Sequence, residues 1–256
     1  MDGLGKAIKD TKKYADNYGQ KLSDVQLFLR LISPKVHRFS EIKGKGEKRA
    51  RGKEWQQKLK LAEKFVRENL IKFNGIEMVG ITGTVAAEAA KKNEDIDLLI
   101  ISKEEELWWW RLYLRIYIWW KKIPHRRFGK KEKRNEFCFN LWLDTANLKI
   151  PKEKRNLKNA TDLIMMKVIF DRDGNYQRFL RENTWVKKYL ATGYEERRKT
   201  PLIPLEEGGQ KMVWMAFIKR IINRILFWGQ YIYMSSKSKK KLKNIEIGQA
   251  FFHESD

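Results

Sequence analysis

Apolar positions along this chain recur with two periods, and the changes between them mark out its elements. Residues 20–33 (QKLSDVQLFLRLIS) carry helical spacing that stops before Pro34. From Glu54 to Leu70 the apolar positions Trp55, Leu59, Leu61, Ala62, Phe65, Val66 and Leu70 again keep a helical period. Asn74-Gly75 interrupts the pattern, and Ile76 to Ile81 follows, short and rich in residues suited to a strand. Gly83-Thr84 then turns the chain into the helix-prone VAAEAAKK. Asp95 to Ile101 (DIDLLII) is nearly continuous in apolar residues, as a buried strand is. Residues 107–122 predict an aromatic-rich helix, Phe137 to Asp144 (FCFNLWLD) a third strand, and 150–159 a polar connector. Helices are predicted over 160–170 and 175–190, with Asp173-Gly174 turning between them. A Pro/Gly-containing linker, 200–209, leads to an amphipathic helix near 211–235 and a Lys-rich tail. The sum is an α+β chain: a small mixed sheet with helices packed on it, and basic helical flanks on both sides. It divides into a basic N-terminal region, 1–72, a core, 73–150, and a helical C-terminal region, 151–256.

Composition narrows the class. The 256 residues include 55 Lys+Arg and 32 Asp+Glu, a net charge of +23, with 42% hydrophobic and 12% aromatic residues. That apolar content is too high for a disordered polyelectrolyte, so the charge decorates a folded body. One cysteine, Cys138, excludes an internal disulfide framework and a multi-Cys zinc site, and suits a reducing compartment. The N-terminal MDGLGKAIKD has no apolar stretch of the signal-peptide kind, and the two most apolar segments carry arginines, so a cytoplasmic place without a membrane span is expected. Divided by segment, the charge is +10 over 1–72, −5 over 73–106, +11 over 107–160 and +7 over 161–256. A uniformly basic polyanion binder has no need of that acidic island. A site that holds divalent cations against a phosphate-rich substrate does.

The chemistry concentrates in the island. Strand alternation points Asp95 and Asp97 the same way with Ile96 between them in the core. Two carboxylates so placed repel unless a cation lies between them, and oxygen donors without clustered histidines select a hard ion, Mg²⁺ or Mn²⁺. Asp144, ending a third strand, could complete a set that holds two metals for in-line phosphoryl or nucleotidyl displacement. Gly83 lets backbone approach a phosphate, the helix expected after Thr84 aims free N–H groups at it, and the Thr84 hydroxyl adds a hydrogen bond.

VGITGT, a ten-residue spacer, DIDLLII and the later FCFNLWLD together resemble the nucleotidyltransferase fold of the DNA polymerase β superfamily, over roughly 73–150. The basic RFSEIKGKGEKRARGK before the core and WVKKYL after it look similar to bacterial nucleotidyltransferase-domain proteins of that superfamily. Thr84 departs from the commoner Ser or Gly, keeping the hydroxyl and adding a methyl group. The resemblance implies that Asp95 and Asp97 bind two Mg²⁺ or Mn²⁺ ions and that Asp144 binds the one that activates the acceptor. It implies that Gly83 and Thr84 hold the β and γ phosphates of a nucleoside triphosphate such as ATP. A nucleoside monophosphate would pass to an acceptor hydroxyl with release of pyrophosphate.

Other readings remain open. Asp-x-Asp in an acidic stretch is often a solvated strand end, and an Asp after a strand commonly caps a turn. Basic runs at 43–53, 121–134 and 237–243 hold 6, 8 and 5 Lys/Arg, which favours a polyanionic partner, and the +23 charge tilts the acceptor toward RNA, tRNA included, with a small molecule or a protein hydroxyl left open. The stripe LWWWRLYLRIYIWW suits a membrane surface, but a helix packed on the sheet with Arg111 and Arg115 on its wet side is the plainer expectation. The competing function is a non-catalytic module for nucleic acid or an anionic membrane, favoured where Asp144 lies out of reach of Asp95 and Asp97. A glycosyltransferase using its Asp-x-Asp for a nucleotide-sugar ranks last, because it leaves the Gly-Thr turn unexplained.

Overall fold

The computed structural model describes residues 3–47, 53–127, 133–199, 214–237 and 245–251. The linker over 200–209, most of the Lys-rich tail and parts of the basic runs at 43–53 and 121–134 lie outside the described residues.

The chain begins with helix α1, Gly3–Asp16, and the short helices α2, Asp24–Leu29, and α3, Phe39–Ile42. Ser23 and Gln26 form a capping box at the start of α2, which is why the helix begins there and not at Gln20. Helix α4, Lys53–Phe65, continues through a wider turn over Val66–Leu70 into strand β1, Ile76–Ile81. A single helical turn, α5, Gly83–Ala86, connects to β2, Ile96–Ser102. Helix α6, Leu107–Trp120, crosses over to β3, Phe137–Asp144. Then come α7, Leu157–Met165, strand β4, Lys167–Asp171, and helices α8, Asn175–Glu182, and α9, Lys187–Lys199. Helix α10, Trp214–Lys237, and strand β5, Gln249–Phe251, complete the fold.

The fold is α+β, built on a five-stranded mixed sheet of order β4-β1-β2-β3-β5. Strands β1 and β2 are antiparallel, whereas β2 and β3 run parallel across the α6 crossover. Two expectations need correction. The helix expected over 160–170 ends at Met165, and KVIFD, β-branched at Val168 and Ile169, leaves it to pair antiparallel with β1 as an edge strand. The expected Lys-rich tail also supplies a strand, β5, on the other edge beside β3. Both edges therefore come from beyond residue 150, so the sheet is not confined to 73–150.

Alternation along β2 divides the interior. Leu98 and Ile100 face one core with Val66, Leu70, Trp108, Trp142 and Phe170. Leu99 and Ile101 face a second, with Leu163, Ile164, Phe179 and Tyr194 of α7, α8 and α9. A smaller third core joins Ala7 and Ala15 of α1 to Leu27, Phe28 and Ile42. Asp97 has the parity of Leu99 and Ile101, which directs its carboxylate to the face covered by α7.

Among the described residues, no helix is long and apolar enough to cross a membrane. Helix α6 packs on the sheet, but Arg111 is not on its wet side. The Arg111 guanidinium is buried, donates to Gln230 Oε1 of α10 and lies over the Trp108 ring at 5.4 Å. Tyr113, Ile116, Trp119 and Trp120 take the exposed face.

Candidate functional site

Gly83 has φ +64°, a left-handed conformation that glycine adopts without strain. A Cβ there would lie 2.5 Å from Asp97 Oδ2, so the turn and the carboxylate sit in direct apposition. The Thr82 N–H donates to the Asp97 carbonyl at 3.0 Å and locks the turn onto β2. The helix expected over VAAEAAKK is only the one turn of α5, and Glu88 leaves it with φ 59°. So short a helix has little macrodipole to offer a phosphate. The turn is instead braced from outside. Gln26 of α2 donates to Ala87 O and Glu88 Oε2, and Lys167 of β4 pairs with Glu88 at 2.9 Å.

Asp95 precedes β2 and is almost fully buried; its Oδ2 accepts from Arg126 Nη1 at 3.0 Å. Asp97 follows inside the strand, and the residue it faces in register on β3 is Cys138. One ligand atom from each of Asp95, Asp97 and Cys138 can be chosen so that all lie within 4.8 Å of one another. Two carboxylates at that spacing suit one hard divalent cation. The third group does not: burial, then the charges of Asp97 and Asp95, push the Cys138 thiol well above its usual range and keep it protonated.

Asp144 is not part of this cluster, contrary to expectation. Parallel strands align start with start, so Asp97 meets the beginning of β3 and Asp144 pairs with Ser102 at the other end. Asp144 lies six positions on from Cys138, roughly 20 Å along the strand. There Asp144 serves a turn. Its Oδ1 accepts from the Ala146 N–H at 3.0 Å and Asn147 Nδ2 at 2.7 Å, and its Oδ2 from the Glu105 N–H at 3.3 Å. Burial nevertheless raises its pKa.

A cleft of about 350 Å³ opens beside the turn, within the size range of small-ligand sites. Thr82, Gly83, Thr84 and Asp97 form one part of it, and Leu99, Leu141 and Phe251 of the sheet line another. Helix α7 and the segment before it contribute Lys154, Asn156, Lys158, Asn159 and Asp162, and the N-terminal region contributes Tyr14, Tyr18 and Arg30. Three cations therefore share the cleft with the acids Asp97 and Asp162. Tyr14 and Tyr18 meet edge to face at 5.3 Å. Asp95, behind the strand start, does not line it.

Sequence reasoning missed Arg126, Tyr14, Tyr18, Lys154 and Lys158, because contact between distant segments leaves no local period. Lys58 was equally hidden on the polar side of a helical pattern. It is buried, and its Nζ donates to Glu94 O at 2.6 Å, Asn135 Oδ1 at 2.9 Å and Lys92 O at 3.3 Å, fixing the chain just before Asp95.

Compared with protein-family models, curated proteins and solved structures, the chain matches none.

Proposed function

We propose that this chain is a nucleotidyltransferase of the DNA polymerase β type: it binds a nucleoside triphosphate in the cleft and passes the nucleoside monophosphate to an acceptor hydroxyl, releasing pyrophosphate. The observation that carries the reading is that Gly83, Thr84 and Asp97 share one cleft with Arg30, Lys154 and Lys158. Without a Cβ, Gly83 lets the Asp97 carboxylate lie against the turn, and the Thr84 hydroxyl beside it would add a donor to a phosphate. Lys154 and Lys158 would balance triphosphate charge, and Tyr14 or Tyr18 offers a flat face to a base. Asp95 and Asp97 would hold Mg²⁺ or Mn²⁺, which when bound polarises a phosphate oxygen and lowers the pKa of a coordinated hydroxyl. Two carboxylates support one such ion better than two. The +23 charge supports RNA, tRNA included, as acceptor, and the single thiol supports a cytoplasmic place.

A second reading is a non-catalytic module that binds nucleic acid or an anionic membrane, and the placement of Asp144 beside Ser102 favours it over the expectation of a three-carboxylate site. One experiment separates the two. The chain is incubated with each labelled nucleoside triphosphate, Mg²⁺ or Mn²⁺ and total RNA, while affinity for the same nucleotide is measured at equilibrium. Label in the acceptor, lost in Asp97→Asn, supports transfer. No label with any nucleotide, together with RNA binding that Asp97→Asn leaves undiminished, supports the second reading, and binding of neither nucleotide, RNA nor anionic vesicles refutes both.

A further inference from the structure

The outer faces of α6 and α10 take no part in the cleft. Helix α10 is fixed against α6 by polar contacts that set its rotation. Asn223 Oδ1 accepts from the Trp108 N–H at 2.8 Å and the Trp109 N–H at 3.2 Å, capping α6 from outside. Gln230 Nε2 donates to Trp108 O at 3.1 Å, and Phe227 meets the Trp108 ring at 5.2 Å. With 223, 227, 230 and 234 turned inward, helical geometry turns 221, 225, 228 and 232 outward. Those positions are Ile221, Ile225, Trp228 and Ile232; Ile225 and Ile232 are each 64% exposed and Trp228 60%. Helix α6 does the same with Tyr113, Ile116, Trp119 and Trp120. Exposed cations border these stripes: Arg224 on α10, and Arg115, Lys121 and Lys122 on or just after α6. Lys121 Nζ stands 4.6 Å above the Trp120 ring. Arg220 is also exposed and pairs with Glu105.

We propose that this face docks the protein on an anionic lipid surface, with α10 lying in the plane of the interface. Charge complementarity selects that occupant. Isoleucines seek hydrocarbon, tryptophan and tyrosine rings settle at headgroup depth, and bordering arginines and lysines meet lipid phosphates. A second copy of the chain fits poorly, since each brings a charge of +23 and the same bordering cations. Single-stranded RNA would engage the aromatic rings and cations but leave Ile116, Ile221, Ile225 and Ile232 without a base to stack on, so it fits less of the face. The proposal is independent of the chemistry in the cleft.

The test sediments the full chain with vesicles of phosphatidylcholine alone or of equimolar phosphatidylcholine and phosphatidylserine. The expected result is binding to the anionic vesicles, at least about tenfold weaker on the neutral ones and weakened by salt. The variant Ile225→Ser/Trp228→Ser/Ile232→Ser should lose roughly tenfold or more in partition, with an unchanged circular dichroism spectrum and thermal midpoint. Should that variant fail to fold, Arg224→Glu/Lys122→Glu provides the alternative, with a loss of roughly fivefold or more per charge. Failure to bind anionic vesicles, or undiminished binding by a folded triple variant, overturns the proposal. So does a dimer, seen by light scattering, that the triple variant converts to monomer, or RNA retention that it abolishes.

Discussion

Lys58→Met isolates what a buried ammonium does for the acidic segment. Methionine matches the apolar stem of lysine out to Cε and removes the charged head. In the wild type that head makes three hydrogen bonds, at 2.6, 2.9 and 3.3 Å, from a side chain only 1% exposed. Hydrogen bonds to charged groups contribute about 1.5–3 kcal/mol each, and the third is long, so the gross loss is roughly 4–7 kcal/mol. Relief of ammonium desolvation offsets several kcal/mol, consistent with burial holding the Lys58 pKa below the usual lysine range. The net expectation is a destabilisation of about 2–4 kcal/mol, or a drop in Tm of roughly 4–15 °C for a chain of this size. Denaturant unfolding followed by tryptophan fluorescence reads it directly. The carbonyls of Lys92 and Glu94 stand immediately before Asp95, so metal-dependent nucleotide affinity should fall as well. A change smaller than about 0.5 kcal/mol, the scale of an ordinary surface substitution, would refute the argument.

Three further outcomes follow from other positions. Gly83→Ala combines a left-handed backbone with a Cβ 2.5 Å from Asp97 Oδ2. It should cost about 1–2 kcal/mol in conformation alone and weaken nucleotide binding more than thermal stability, checked by titration calorimetry beside a melting curve. Asp144→Ala should lose about 1–3 kcal/mol through its three unpaired donors and leave nucleotide affinity unchanged; a selective loss of affinity would return Asp144 to the site. Burial raises the Glu77 pKa, so this group stabilises the fold while protonated, below the ordinary carboxylate range, and that contribution is lost as pH rises through the raised value. Glu77→Gln should therefore raise Tm by about 1–4 °C at neutral pH and change it little near pH 4; a lower Tm at neutral pH would contradict the assignment.

Local pattern carried the strands well. Ile76–Ile81 and Phe137–Asp144 keep the limits their composition predicts, because a run of apolar residues ended by turn chemistry is a property of neighbours in sequence. Asp144 shows where such reasoning stops. Its place at a strand end is local, but which end of β3 meets Asp97 depends on the direction in which the α6 crossover returns the chain. The short α5 and the strand at Lys167–Asp171 were obscured for the opposite reason. Ala-rich residues after Gly83 have helix propensity, yet Gln26 and Lys167 hold that segment in a turn, and KVIFD continues a helical pattern until β1 offers it a ladder. Tertiary contact outweighs propensity in both cases.

The acidic island changes meaning once its partners are known. Glu77 lies 3.9 Å from Lys103, Glu88 pairs with Lys167, Asp95 with Arg126 and Glu105 with Arg220, so four of the segment's eight acids face a cation, three of them from outside it. The cleft beside it holds Arg30, Lys154 and Lys158 against Asp97 and Asp162, which makes its lining net positive before any metal enters. Phosphate recognition and metal holding are then separable. Lys154→Gln/Lys158→Gln should weaken binding of inorganic tripolyphosphate without added metal, whereas Asp97→Asn should strengthen that binding by removing a like charge and lose only the metal-dependent increment. Titrating tripolyphosphate with and without Mg²⁺ measures both terms. If Asp97→Asn weakens the metal-free binding, the carboxylate organises the turn at Gly83 and does not merely oppose the anion.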